Sequence, residues 1–226
     1  MLPWKLIDTT DVPGGGVPLR LMQRGTEFTI KLGQNELMSS RLFGSEEALA
    51  TLTCFRIKDL AAPKLLIGGY GMGFTLRAAL KVLGARAEIT VVELVPAIVA
   101  WARGPMAELS GDSLNDPRVT IREDDVVKAI NTARGTYDAI LLDVDNGPEG
   151  LTRKSNDALY DLKGLRAAHA ALRPGGVLAV WSSFPYEKFT ALLGQAGFAA
   201  EEIKIRATGT RGGARHVIWL ATRPKS

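Results

Sequence analysis

LLIGGYGMG, residues Leu65–Gly73, is an apolar run that breaks into a glycine loop. Leu65-Leu66-Ile67 reads as a buried strand, and Gly68, Gly69, Gly71 and Gly73 allow a tight turn into the apolar-periodic helix Phe74–Leu83, which Gly84 stops. No Gly-Lys-Ser/Thr follows, so the loop is not a phosphate-cradling P-loop. Strand, glycine turn and helix make the first unit of an α/β sheet.

Outward toward the C-terminus the unit repeats. Ile89–Val92 is a second strand ending at Glu93, and Pro96 opens a helix to Arg103. Val119–Ile121 is a third strand before Glu123-Asp124-Asp125 and the helical stretch Val126–Thr132. Ala139–Leu142 is a fourth, running into Asp143-Val144-Asp145-Asn146-Gly147-Pro148. A helix marked by Leu159, Leu162, Leu165 and Leu172 ends at Arg173-Pro174-Gly175-Gly176, and Val177–Trp181 follows as the fifth strand. Helix Tyr186–Gln195, strand Glu201–Arg206, a glycine-rich turn and strand His216–Ala221 close the pattern, the last two strands reading as an antiparallel hairpin at one edge. Continuous apolar strands alternating with helices predict a largely parallel sheet covered on both faces.

Outward toward the N-terminus the texture changes. Val17–Gln23 and Glu27–Leu32 alternate as strands, with turns at Arg24-Gly25 and Gly33-Gln34. Ser45-Glu46-Glu47 offers a cap and first-turn carboxylates for a helix to Phe55, with Leu49, Leu52 and Phe55 at intervals of three. We therefore expect a small N-terminal β region over 1–44 and a main domain over 45–226.

The whole chain fits that organisation. Its 226 residues suffice for one sizeable core, and 46% hydrophobic with 23% charged residues is globular composition. Twenty-eight Lys and Arg are interspersed with 24 Asp and Glu, so the net charge of +4 gives no basic patch, and no nucleic-acid partner is expected. No apolar run reaches a membrane span, and the single Cys54 with two His gives no metal spacing, so neither a membrane partner nor a metal is expected. Cys54 has no partner for an internal disulfide, and Met1–Val12 lacks a signal-peptide pattern, so a cytoplasmic chain is expected.

Ligands of open α/β sheets bind at the carboxyl ends of the strands. The glycine loop ends the first strand there. Glu93 ends the second, about 20 residues on, where a carboxylate can accept both hydroxyls of a ribose. Together they predict an adenosine-type cofactor. Asp125, or Asp124 beside it, can accept an adenine amino hydrogen or simply cap the following helix. Asp143 and Asp145 bracket Val144, so an extended backbone puts both carboxylates on one side, fit to hold an amine or a proton; an Asp-rich turn is the alternative. His169, on an apolar helix face, and His216, opening the last strand, read as structural. Trp181 and Ser182 end strand five, where they can shape a pocket.

In order, LLIGGYGMG, VVE at Glu93, VTIREDD at Asp125, YDAILLDVDNGP at Tyr137–Pro148, ALY at Tyr160 and LRPGG at Gly176 resemble the polyamine aminopropyltransferase (spermidine synthase-like) family. The resemblance implies a Rossmann-like class I methyltransferase fold: a seven-stranded, mostly parallel sheet with an antiparallel last strand, preceded by a small β region. It implies that Gly69, Gly71 and Gly73 bind a sulfonium nucleoside, that Glu93 holds its ribose and Asp125 its adenine, and that Asp143 stands beside the reacting amine.

The chain departs from the family at the other half of the site. Met72 stands where an acidic residue is usual, Glu36 for Gln, Arg41 for Asp, and Ser45-Glu46 for Tyr-His/Gln; Glu47 and Tyr160 match. Asp145 is the candidate substitute for a missing second acid, and Glu36 and Glu46 are candidate acceptor ligands. On those departures we expect S-adenosylmethionine-dependent methyl transfer to a small, amine-containing acceptor, with Asp143, Asp145 and Tyr160 as catalytic residues. Aminopropyl transfer from decarboxylated S-adenosylmethionine is the alternative, and a non-catalytic nucleoside binder a third. Self-association is implied by the resemblance alone.

Overall fold

A computed structural model describes residues 2–144, 147–148, 157–207 and 215–225. It opens with four strands, β1 (Lys5–Thr10), β2 (Leu19–Arg24), β3 (Glu27–Leu32) and β4 (Asn35–Ser39), forming an antiparallel sheet in chain order. Gly25 and Gly33 carry the positive φ that two-residue hairpins need, so both predicted turns are present. β1 and β4 add to the two strands read from sequence. β1 is mostly exposed and held at the edge by its pairing to β2, so it carries little apolar alternation to read.

Next comes α1 (Gly44–Ile57). Its buried face is Leu49, Ala50, Thr53, Cys54 and Ile57, whereas Phe55 is 55% exposed. The expected stripe of threes fails because each step of three lags a 3.6-residue turn by about 60°, rotating Phe55 out of the interface. Ser45 is not the cap either: Phe43 holds the N-cap position without a side-chain bond, and the Ser45 hydroxyl goes elsewhere.

The main sheet is built from β5 (Lys64–Gly68), α2 (Phe74–Val82), β6 (Glu88–Glu93), α3 (Pro96–Arg103), α4 (Ala107–Ser110), a 3-10 turn over Gly111–Asn115, β7 (Val119–Glu123), α5 (Val126–Thr132), β8 (Tyr137–Leu142), α6 (Asp157–Tyr160), α7 (Leu162–Ala171), β9 (Leu172–Ser182), α8 (Phe189–Gln195), β10 (Ala199–Arg206) and β11 (Arg215–Thr222). The strand order is β10-β11-β9-β8-β5-β6-β7, parallel throughout except for β11, which is antiparallel to both neighbours. The expected seven-stranded class I sheet is therefore present. α7 ends two residues before the expected Arg173, because β9 already pairs from Leu172 with Tyr137.

Both faces of the sheet are packed, and period-two alternation sends Leu65, Ile67 and Leu141 to one side and Leu66, Ile140 and Leu142 to the other. The first side also takes Leu19, Leu21, Phe28 and Ile30, so the N-terminal sheet shares a core with α1, α2 and α3. The Trp101 indole N–H donates to Asp8 at 2.6 Å and fastens β1 to α3. β5 pairs with β6 on one side and β8 on the other, so the chain reverses direction across the sheet at the tip of β5. That reversal opens the crevice, and the N-terminal sheet covers it.

Candidate active site

The glycine loop is shaped first by packing. Gly69 has φ +85°, and a Cβ there would lie 2.4 Å from the Asp143 carbonyl oxygen. At Gly73, φ +78°, a Cβ would meet the Tyr70 hydroxyl at 2.6 Å. Neither position has room or backbone geometry for another residue. Met38 of β4 sits over Gly71, its Sδ 3.2 Å from where a Cβ would stand, so the covering sheet touches the loop directly.

Glu93 anchors this loop from the end of β6. Its Oε2 accepts the Tyr70 N–H at 2.9 Å and its Oε1 the Val95 N–H at 2.8 Å. Burial pushes its proton affinity up, and the amides of Val95, Tyr70, Gly71 and Leu94 pull it back. Those four amides face the carboxylate's lone pairs, so a ribose diol bonding to Glu93 would share its oxygens with the loop. Asp125 caps α5, its Oδ1 accepting the Val127 N–H at 2.8 Å. Asp124 accepts from the Asp125 N–H and from Lys128, which together hold its carboxyl below the usual range.

Across the crevice, Asp143 follows β8, and its N–H donates to the Gly68 carbonyl at 3.0 Å. Thr75, in the first turn of α2, donates its hydroxyl to Asp143 Oδ2. Glu46, in the first turn of α1, accepts the Ser45 hydroxyl at 2.7 Å. Burial lifts Asp143 to about 6 against the pull of the Thr75 bond. Burial, and then the charge of Asp143, lift Glu46 to about 7. Two carboxylates thus face each other where both cannot hold full charge at neutral pH.

Asp143, Glu46, Glu93, Asp124 and Asp125 line one cavity of about 450 Å³ with Gly69, Gly71, Met72 and Trp181. Its remaining wall is largely apolar, contributed by Val12, Val17, Leu37 and Met38 from the N-terminal region and by Phe74, Val95 and Ile98. Among the described residues lining it there is no Lys, Arg or His.

Other sequence candidates lie elsewhere. Glu36 is exposed on β4 and accepts the Thr29 hydroxyl at 2.9 Å, away from the cavity. Tyr160 packs in the core on the opposite sheet face, edge-on to Phe189, and its hydroxyl reaches the Val144 carbonyl at 3.3 Å; it supports the Asp143 segment from behind and does not line the cavity. Asp145 lies outside the described residues. Thr75 and the apolar wall were not anticipated; a hydroxyl two residues past the glycine loop, at a helix start that faces a strand end, is the signal that could have found Thr75. No described group of His, Cys, Asp and Glu could hold a metal, and no described helix is long and apolar enough to cross a membrane.

Comparison with known proteins places this site in a family. The polyamine aminopropyltransferase 1 of Streptomyces coelicolor is 33% identical over 150 residues, 62% of this chain and 27% of its own length. The polyamine aminopropyltransferase of Mycobacterium tuberculosis is 30% identical over 138 residues, 60% of this chain and 25% of its own length. The chain thus matches about a quarter of these relatives. The crystal structure of spermidine synthase from Thermotoga maritima superposes with a TM-score of 0.77 at 17% identity, covering 98% of this chain and 73% of that one. A spermidine synthase bound to the transition-state analogue AdoDATO gives 0.74 at 18%, with the same coverage. These likenesses support the fold.

The expectation of methyl transfer is overturned by these comparisons. Both curated relatives are named for aminopropyl transfer, and the matching family model, over residues 43–190, is the spermine/spermidine synthase domain. Met72 argues for a methyl donor, but one substituted position in the glycine loop does not outweigh a match over residues 43–190. The chain belongs to the spermine/spermidine synthase domain family.

Proposed function

We propose that this chain transfers an aminopropyl group from decarboxylated S-adenosylmethionine to a small amine acceptor. The observation that carries the reading is the Asp143–Glu46 acid pair in a cavity whose described lining has no basic side chain. Such a wall favours a sulfonium and ammonium groups, and it offers no cationic partner to the carboxylate of the undecarboxylated donor. In this reading Glu93, Gly69, Gly71, Met72 and Asp125 hold the nucleoside, while residues 1–44 cover the site and residues 45–226 form the catalytic core.

The bound donor supplies an electrophilic CH₂ beside its sulfonium. Asp143, with Glu46 sharing its proton load, takes a proton from the acceptor ammonium; the freed nitrogen lone pair forms the new C–N bond as the C–S bond breaks. The departing electron pair stays on sulfur, leaving a neutral thioether. Proton affinities near neutrality suit both carboxyls to accept and release that proton at working pH. Thr75 fixes the Asp143 carboxylate, and Leu37 and Met38 of β4 give the cavity an apolar cover.

Titration calorimetry with decarboxylated S-adenosylmethionine, S-adenosylmethionine and methylthioadenosine, followed by a product assay with putrescine and longer amines, tests this. Preference for the decarboxylated donor and formation of an aminopropylated amine are expected. Binding of none of the three, or binding without product from any amine, would overturn it.

A further inference from the structure

The Ser45 hydroxyl is fully buried in the first turn of α1 yet caps nothing. It donates to Glu46 Oε2 at 2.7 Å and lies 2.8 Å from Nδ1 of His216 on β11. The His216 ring is held edge-on against Trp181, ring centroids 4.8 Å apart. His216 does not line the cavity, so it stands behind Glu46 as seen from the acceptor. We propose that His216 and Ser45 form a relay that clears the reaction's proton from the Glu46–Asp143 pair, with His216 as a positioning residue acting through Glu46. This rests on the aminopropyl-transfer reading for the proton's origin but not for the wiring.

The step balances without any co-reactant. The proton leaving the acceptor ammonium resides on the acid pair. From protonated Glu46 it passes to Ser45 Oγ as the Ser45 hydroxyl proton passes to His216 Nδ1. The products are a Glu46 carboxylate again accepting from Ser45, and a His216 imidazolium donating to Ser45. Loss of the Nε2 proton to solvent, followed by return of the ring to its Nε2–H tautomer, resets the chain. Glu46 is faced by Asp143 from the end of β8, by Glu47 on its own helix and by the Ser45 hydroxyl. Asp143 is faced by Thr75 from α2. His216 meets Ser45 and Trp181, and burial holds its ring below the ordinary imidazole value, so the imidazolium is the higher-energy end of the relay and gives its proton up readily once formed.

The chain has two histidines, so ¹⁵N NMR of the ring nitrogens reads His216 directly, with His216→Gln assigning it. In the parent protein the His216 titration is expected to spread over two steps, following Glu46. It should collapse to one step at lower pH in Glu46→Gln and in Ser45→Ala. Superimposable His216 curves in the three proteins would overturn the relay whether or not the protein turns over. In kinetics, His216→Gln should lower kcat about tenfold, move the pH profile, and leave KM for the amine and nucleoside affinity unchanged. An unaltered kcat and pH profile would likewise overturn it. If the parent forms no product with any amine, the aminopropyl reading falls alone, and the NMR arm still decides the relay.

Discussion

At the glycine-loop end of the cavity the carboxylates are used by the backbone, with Glu93 holding the Tyr70 and Val95 amides and Asp125 capping α5. At the other end Asp143 and Glu46 are buried and held by hydroxyls, those of Thr75 and Ser45, with the charge of Asp143 acting on Glu46. The difference separates two uses of an acid. A carboxylate bound by amides is fixed in position, and at Glu93 it builds the loop that lines the cavity. A buried carboxylate held by one hydroxyl has its proton affinity lifted toward neutrality, which suits it to accept and release a proton. Substitutions at the first end should therefore damage the fold, and those at the second the rate.

Asp143→Asn should show the largest effect, a loss of about 10²–10⁴-fold in kcat with nucleoside binding retained by calorimetry; unchanged turnover would erase the distinction between the two ends. Gly69→Ala should cost about 3 kcal/mol in denaturant unfolding, since the new Cβ has neither space nor an accessible φ. Glu93→Gln should cost about 2 kcal/mol, because an amide can accept from only one of the two backbone N–H groups and turns a donor toward the other.

The acid pair should also leave a pH signature. Asp143 and Glu46 bind protons more tightly folded than unfolded, so their contribution to stability is present below about pH 4 and is lost as pH rises through about 6 and 7. Relative to the parent, Asp143→Asn should thus gain about 2 kcal/mol between pH 4 and pH 8. A flat difference would mean that the pair is solvated and ordinary. The smallest effect is expected from Asp125→Ala, about 1 kcal/mol for the lost cap.

The succession of strands in the main sheet was legible because its central strands are buried on both faces and end in or run into glycine or acid, as Leu65–Gly68 and Tyr137–Leu142 do. β1 and β4 were not, because partner strands supply their order and little of their own surface is buried. At the site, residues at strand ends could be found by position: Gly69, Glu93 and Asp143 all line the cavity. Glu46 came from the family pattern, and so did Tyr160, which packs behind the site. Local pattern could not yield the Ser45–His216 contact, which joins residues 171 positions apart. It read Ser45 as a cap because a hydroxyl at a helix start has that use far more often.

The reversed direction of β11 has a consequence for how this sheet can be altered. Parallel strands bring only their last residues to the crevice, and those residues also carry the turns into the next helix. β11 runs the other way, so its first residues arrive at that rim, with Val217 level with Ser182 at the end of β9. His216 therefore approaches the acids from a strand whose turn into a helix is not at stake, its height fixed by its pairing with Ile205 of β10 and by the neighbouring Val217–Ser182 pair. One-residue changes at this position can retune the proton-handling end while leaving the glycine loop and its amide-bound glutamate untouched.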